Sequence, residues 1–380
     1  GRSLGWIEML ARRSLVKWLG SLQGGRVNYC DNRQCDVFGG DSEGNLNADW
    51  NIQDSRFYRQ IAMGGSLGLA ESYLRGHWQT DDLTALLRLL YRNMNHAADN
   101  HSLAARLMRF VNHLQFRLNA NTRGRSRRHI AAHYDLSNEF FELFLDPTLM
   151  YSSGWFESDS STLHEASVAK LDRICRKLDL QPSDEVLEIG TGWGGFSLHS
   201  VRNFGCQLTT TTISEAQYDK AQQRFDEARI SDSVRLLNAD YRDLEGQYDK
   251  IVSIEMIEAV GERYLKSYFR KCAELLRPGG RLVIQAIVMP EERYASYRKS
   301  VDFIQRYIFP GGFLPSVSAM QEAVGHTSSL RLQSVEDLSP HYARTLQAWR
   351  HRFFERIAEV RQLGFDDRFI RMWEYYPVSY

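Results

Sequence analysis

The chain has 380 residues, 43% hydrophobic and 25% charged, which excludes a disordered or fibrous polymer and leaves room for two to three domains. Its 47 Lys and Arg balance 47 Asp and Glu, so no nucleic-acid partner is expected and any attraction to an anionic surface must come from local patches. No apolar run approaches the roughly 20 residues of a membrane span and nothing at the start reads as a secretory leader. The five scattered cysteines contain no CxxC pair, so neither a metal site nor a disulfide framework is expected, and the expected setting is a reducing cytoplasm.

Residues 1–120 read as a smaller, mainly helical N-terminal domain. Leu4, Ile7, Leu10, Leu15, Leu19 and Leu22 recur at helical spacing with Arg12, Arg13 and Lys17 between them. Further helical patterns follow at 56–62, 68–74 and 83–90. Residues 121–129 carry four arginines and almost nothing apolar, which predicts a basic linker.

Residues 130–380 form the second predicted domain. Strands are expected at 184–190, 206–213, 234–237, 248–254 and 281–288, with helices at 196–203 and 215–229. This alternation predicts a parallel sheet covered by helices on both faces, a Rossmann-like α/β architecture.

Gly190-Thr191-Gly192-Trp193-Gly194-Gly195 follows the first of these strands and opens a helix. The glycines let a ligand approach the backbone, and a helix N-terminus offers N–H groups. The spacing is GxGxGG, a poor match to the GxGxxG of a dinucleotide site. Glu188 lies two residues before the turn and Asp240 closes the third strand region. Together they point to S-adenosylmethionine, with the turn at its amino-acid end and the third strand beside its adenine.

Several segments carry a family resemblance. They are Gly68-Leu-Ala-Glu-Ser-Tyr-Leu-Arg-Gly-His-Trp78, His133-Tyr-Asp-Leu-Ser-Asn-Glu-Phe-Phe141, Asp146-Pro-Thr-Leu-Met-Tyr-Ser-Ser-Gly-Trp-Phe156 and Val186-Leu-Glu-Ile-Gly-Thr-Gly-Trp-Gly-Gly195. Thr212-Ile-Ser-Glu-Ala-Gln217, Met256-Ile-Glu-Ala-Val-Gly261, Asp302-Phe-Ile-Gln-Arg-Tyr-Ile-Phe-Pro-Gly-Gly312 and His341-Tyr-Ala-Arg-Thr-Leu-Gln-Ala-Trp349 continue it. In these segments the chain resembles the cyclopropane fatty acid synthases and, through them, the mycolic acid cyclopropane synthases.

The resemblance implies a class I S-adenosylmethionine-dependent methyltransferase domain. It implies transfer of a methylene group to the cis double bond of an unsaturated phospholipid acyl chain, or, in a sibling reaction, a methyl-branched or methylated-alkene product. The cofactor positions then fall on Tyr151, Ser152, Gly190 to Gly195, Thr212, Ile213, Ser214, Gln217, Tyr241 and Arg242. The family holds bicarbonate as the deprotonating anion, and the corresponding residues are Ser153, Glu258, Gln285 and Tyr342. Three departures stand out: Ser153 replaces Cys, Gln285 replaces His, and Ala259 replaces the His beside the glutamate. Ser and Gln still hydrogen-bond an anion, so the seat is expected to persist with altered affinity.

A carbocation on the chain would be steadied by aromatic faces, for which His133, Tyr134, Trp155, Phe303, Tyr307 and Phe309 are the candidates. An acyl-chain-covering insertion is expected around 290–325. The N-terminal helices and the basic linker are the expected contacts with the inner face of a membrane, at which the protein would sit peripherally, and a homodimer is the family-level expectation.

Overall fold

The structure is a computed structural model that describes residues 5–40, 46–94, 136–327 and 329–379; the expected linker at 121–129 and the candidates His133 and Tyr134 lie outside them. The chain divides into two compact units. The first gathers the described residues within 1–118, 300–308 and 364–380; the second gathers those within 119–299 and 309–363.

In the first unit, helices Trp6–Leu19, Arg56–Leu74 and Leu83–Met94 stand where the periodicity places them. The sequence reading missed a small sheet made of β1 (Gly25–Cys30), β2 (Cys35–Gly39), β3 (Leu46–Ile52) and β4 (Trp78–Gln79) in the order β2-β1-β3-β4. Alternate residues of β1 and β3 (Val27, Tyr29, Ala48, Trp50 and Ile52) turn inward and are almost fully buried, the period-two pattern of a sheet with one covered face. β1 and β2 pair antiparallel, which places Cys30 opposite Cys35 and closes a disulfide between them. This corrects the expectation of no disulfide; Cys175, Cys206 and Cys272 are free and buried.

A partly buried polar cluster ties the first helix to this sheet. Asp31 Oδ2 accepts from Arg12 Nε at 2.5 Å, Tyr58 Oη at 2.6 Å and Tyr29 Oη at 3.0 Å. Burial pushes the Asp31 carboxyl up, but Arg12, Tyr58 and the N–H groups of Arg33 and Gln34 outweigh it and hold it well below the usual carboxylate range. Its stabilisation is therefore present above the ordinary pKa of 3.8 and is lost as pH falls below it. Asp31→Asn leaves Arg12 without its counter-charge and is expected to cost about 3 kcal/mol in urea denaturation at pH 7. A loss below about 1 kcal/mol would show that the cluster behaves as a surface pair.

The second unit is built on five parallel strands. They are β5 (Glu185–Ile189), β6 (Gln207–Thr212), β7 (Val234–Asn238), β8 (Tyr248–Ile254) and β9 (Leu276–Gln285), in the order β7-β6-β5-β8-β9. Four of the five match the expected positions closely. β9 runs from Leu276, so the Pro278-Gly279-Gly280 segment lies within it, with a register shift opposite Tyr248 and Lys250.

Side chains of β5 feed two cores. Val186 packs with Leu171, Ile174, Phe196 and Phe225 on one face, while Leu187 and Ile189 pack with Ile251, Tyr268 and Phe269 on the other. The helix Leu163–Leu178 starts at a capping box in which Thr162 Oγ1 accepts from the Glu165 N–H and Glu165 accepts from the Thr162 N–H. Its apolar stripe carries one charge, Lys170, which is 2% exposed.

Candidate active site

Strand order fixes where a ligand can enter. β5 is followed outward by β6 and β7 on one side and by β8 and β9 on the other, so the chain reverses direction between β5 and β8. In open α/β sheets the crevice lies at the carboxyl ends of the strands at that switch. The glycine-rich turn leaves β5 here, and Glu255, Met256 and Glu258 leave β8.

The turn is shaped for a ligand at one glycine in particular. Gly192 has φ +53° and a Cβ placed there would meet no atom within 4 Å, so the space beside it is open. Asp240, expected beside the adenine, is held by Arg242, which donates to it from the backbone N at 3.0 Å and from Nε at 2.8 Å. Tyr241 sits edge-on to Tyr268 with centroids 5.4 Å apart. At the end of β6, Thr212 Oγ1 donates to Gln217 Oε1 at 3.0 Å and Ser214 caps the next helix by accepting from the Gln217 N–H; Ile213 lies between them. The open turn and these strand ends fit S-adenosylmethionine.

Other expected cofactor residues belong to the scaffold behind the turn. Glu188 is 2% exposed, and its Oε2 accepts from Ser197 Oγ at 2.6 Å and Thr210 Oγ1 at 2.7 Å. Burial pushes its carboxyl up to about 7, against the pull of Ser197, Thr210 and Lys170. Thr191 bonds Thr210 at 2.7 Å, and Trp193 donates from Nε1 to Asn138 at 2.8 Å with its ring 4.7 Å from Phe141. Behind Gly194 and Gly195 lie the Phe225 ring and Met150.

The anion seat expected from Ser153, Gln285, Glu258 and Tyr342 takes a different form. Ser153 donates its backbone N–H to Glu255 Oε1 at 2.8 Å, while its hydroxyl turns to the Gly154 carbonyl. Gln285 Nε2 donates to the same Glu255 oxygen at 2.8 Å and to the Ser153 carbonyl at 3.2 Å. Lys170 is the nearby cation; its Nζ donates to Ser152 Oγ at 2.6 Å. Burial lowers the Lys170 ammonium to about 8, and the charges of Glu255, Asp146 and Glu188 act in the opposite direction.

Glu258 Oε1 accepts the Ile287 N–H at 2.5 Å, while Oε2 is buried with no hydrogen-bond partner among the described residues. Burial first, then the charge of Glu255, pushes Glu258 up to about 8. Tyr342 lies in the first turn of helix Ser339–Glu355, which is held against the Ser153 segment by Gly154 N–H donating to Thr345 Oγ1 at 3.0 Å. Glu255 was not among the sequence candidates. The available signal was its position, the first residue beyond β8, at the ligand edge.

The aromatic candidates separate. Trp155 packs at a tilt against His341 with centroids 4.2 Å apart, and the Arg173 guanidinium lies 4.1 Å from its ring centroid, so a cation of the chain already takes that ring. Phe303 and Tyr307 pack within the first unit. The Phe303 ring is 4.8 Å from Tyr375, and Tyr307 Oη donates to Glu71 at 2.9 Å. Phe309 packs within the second unit at 6.2 Å from Tyr151, whose other neighbours are Phe141, Phe144 and Trp349.

Comparison with known proteins agrees with this geometry. The family described as mycolic acid cyclopropane synthetase matches residues 121–379. Tuberculostearic acid methyltransferase UfaA1 of Mycobacterium tuberculosis is 40% identical over 329 residues, which are 84% of this chain and 75% of that protein. The cyclopropane-fatty-acyl-phospholipid synthase of Escherichia coli K12 is 35% identical, covering 88% of this chain and 83% of its own. The structure of mycolic acid cyclopropane synthase CmaA1 complexed with SAH and CTAB superposes with a TM-score of 0.61 at 31% identity, over 66% of this chain and 92% of that one. With a switch-point crevice, an open glycine turn and paired carboxylates on this scaffold, the chain belongs to the mycolic acid cyclopropane synthetase family and is an S-adenosylmethionine-dependent methyltransferase/cyclopropane synthase enzyme.

Proposed function

We propose that the protein transfers a one-carbon unit to the cis double bond of an unsaturated phospholipid acyl chain and closes a cyclopropane ring. The observation that carries this reading is the carboxylate pair Glu255 and Glu258 at the carboxyl end of β8, beside the open Gly192 turn. S-adenosylmethionine supplies an electrophilic methyl group. The chain's own residues must then orient the alkene, keep water out and take a proton from the methylated cation. Tyr151, packed among Phe141, Phe144, Phe309 and Trp349, gives an aromatic wall suited to a cationic chain.

Peripheral membrane contact at the cytoplasmic face is part of this reading. On helix Trp6–Leu19, Trp6 is 70% exposed and Leu10 54% exposed, and Arg13 and Lys17 continue the same stripe at helical spacing. An apolar end followed by basic side chains suits an anionic lipid surface. No helix among the described residues is long and apolar enough to cross a membrane.

A second reading is supported by the 40% identity to a protein named as a tuberculostearic acid methyltransferase. There the proton leaves a carbon of the acyl chain, and a methylated alkene results. The test is incubation with vesicles of unsaturated phospholipid and methyl-labelled S-adenosylmethionine, followed by proton NMR of the released fatty acids. Upfield cyclopropane methylene signals are the expected result. An olefinic methyl signal would establish the second reading, and unlabelled lipid would overturn both.

A further inference from the structure

We infer that Glu255 occupies the anion seat with its own carboxylate and serves as the base, so that this protein works without bound bicarbonate. This rests on the reading of the site as a lipid one-carbon transferase.

The inference starts from who donates to whom. Ser153 and Gln285 stand at two of the positions from which an external anion would be held. Both instead donate to one oxygen of Glu255, each at 2.8 Å. The Glu255 backbone N–H in turn donates to the Gln285 carbonyl at 2.8 Å, so the residue is fixed at both its main chain and its side chain. Its φ of +48° lies in the left-handed region, which a side-chain-bearing residue adopts uncommonly and at some cost. That conformation allows the first residue after β8 to turn back across the end of the strand toward Ser153.

Charge leads to the same assignment. A free anion in this seat would face the Glu255 carboxylate at contact distance, with Glu258 close by. Among the described residues, Lys170 is the buried cation whose field reaches the seat, and it is already needed to balance Glu255. Two carboxylates in one enclosed site do not both ionise readily. Burial pushes both carboxyls up, but Glu255 has Lys170, the Ser153 N–H and Gln285 to pull it back toward the charged form, whereas Glu258 has the Ile287 N–H and is pushed up further by the charge of Glu255. Glu255 is therefore the anion of the pair, and Glu258 is its neutral neighbour. A bicarbonate ion does not fit beside them.

The chemical step balances on the carboxylate alone. A proton leaves the newly added methyl carbon of the cationic acyl chain and bonds to an oxygen of Glu255. The C–H electron pair left behind forms the closing C–C bond, so the chain becomes neutral and the carboxylate becomes a carboxylic acid. No oxidant, reductant or second anion is consumed.

The test compares the wild-type protein with Glu255→Gly, which empties the seat and suits the left-handed backbone, and Glu255→Gln, which fills it with a neutral amide. Binding of carbon-13 bicarbonate, followed by NMR line broadening without the methyl donor, is expected for Glu255→Gly and absent for the other two. In carbonate-depleted buffer the wild-type rate is expected to be unchanged, and both variants are expected to fall by about 10²-fold or more. Added bicarbonate is expected to restore Glu255→Gly in part and to leave Glu255→Gln inactive. Calorimetric binding of S-adenosylhomocysteine reports whether each variant is folded, and should Glu255→Gly fail there, the wild-type protein and Glu255→Gln still decide. Bicarbonate binding by the wild-type protein, a bicarbonate requirement for its turnover, or full activity of Glu255→Gln would overturn the inference. If no lipid product forms at all, the functional reading fails, yet the binding comparison still decides who holds the seat.

Discussion

Glu258→Gln is expected to make the protein more resistant to heat at pH 8 and above while lowering its turnover several-fold. The Glu258 carboxyl ordinarily titrates at 4.5 but is pushed up to about 8 by burial and by the charge of Glu255. Between those values the folded chain holds a proton that the unfolded chain has released. Glu258 thus favours folding fully below pH 4.5, and that contribution is lost as pH rises through about 8. Holding one extra proton changes the folding free energy by about 1.4 kcal/mol for every pH unit crossed, so the alkaline loss is on the order of a few kcal/mol. Glutamine cannot ionise, so its melting temperature should decline less steeply than the wild-type value across that window. Glu188, pushed up to about 7 by burial, gives a residual slope of the same sign in both proteins.

The same substitution also separates two roles for this side chain. As the neutral member of the pair, Glu258 accepts the Ile287 N–H and carries its proton on the buried Oε2, which makes it a hydrogen-bond donor. Glutamine keeps one acceptor and one donor in the same fork, so part of the turnover survives and the alkaline fall in rate above pH 8 should disappear. Glu258→Ala removes both and should cost about 10²-fold, the scale of one preorganised hydrogen-bond donor. If glutamine and alanine were equally inactive and both bound S-adenosylhomocysteine normally, Glu258 would have to act as an ionised base. The assignment of charge to Glu255 would then be reversed.

The catalytic scaffold could be read from the sequence because its strands are buried on both faces. Val186-Leu-Glu-Ile189 and Tyr248–Ile254 are short apolar runs set between amphipathic helices, a local pattern that shows their positions without knowledge of their partners. The N-terminal sheet lacks such runs. β2 offers only Val37 and Phe38 beside Cys35, Asp36 and Gly39, and β1 pairs in parallel with β3 about twenty residues away, so the sheet becomes visible only once the pairing is known. The Cys30–Cys35 bridge was missed for the same reason, since it depends on a hairpin that places the two opposite each other.

Site residues divided along similar lines. The glycine turn and Glu258 announce themselves through motif and strand end. Periodicity, by contrast, cannot say that Phe303 will pack on Tyr375 or that Arg173 will cover Trp155, because those partners are distant in sequence. Lys170 did leave a trace that went unread. A lone lysine on the apolar stripe of Leu163–Leu178 must either reach solvent or find buried acids, and it is surrounded by Asp146, Glu188 and Glu255.

Substitution within the glycine turn should distinguish ligand space from scaffold. At Gly192 a Cβ enters open space, so the main cost to folding is the left-handed backbone, about 1–3 kcal/mol. If the methyl donor lies in that space, Gly192→Val should weaken S-adenosylhomocysteine binding by about 10²-fold or more while the fold melts cooperatively only a few degrees lower. At Gly194, where φ is +81°, the same Cβ would stand 2.6 Å from the Phe225 ring, within the core that seals the back of β5. Gly194→Val therefore adds overpacking to backbone strain and should destabilise the unit by about 3 kcal/mol or more, with ligand loss following from unfolding. Calorimetry and thermal melts on the two variants separate the cases. Unchanged affinity in a folded Gly192→Val protein would place the methyl donor elsewhere and remove the reason for reading this turn as its cradle.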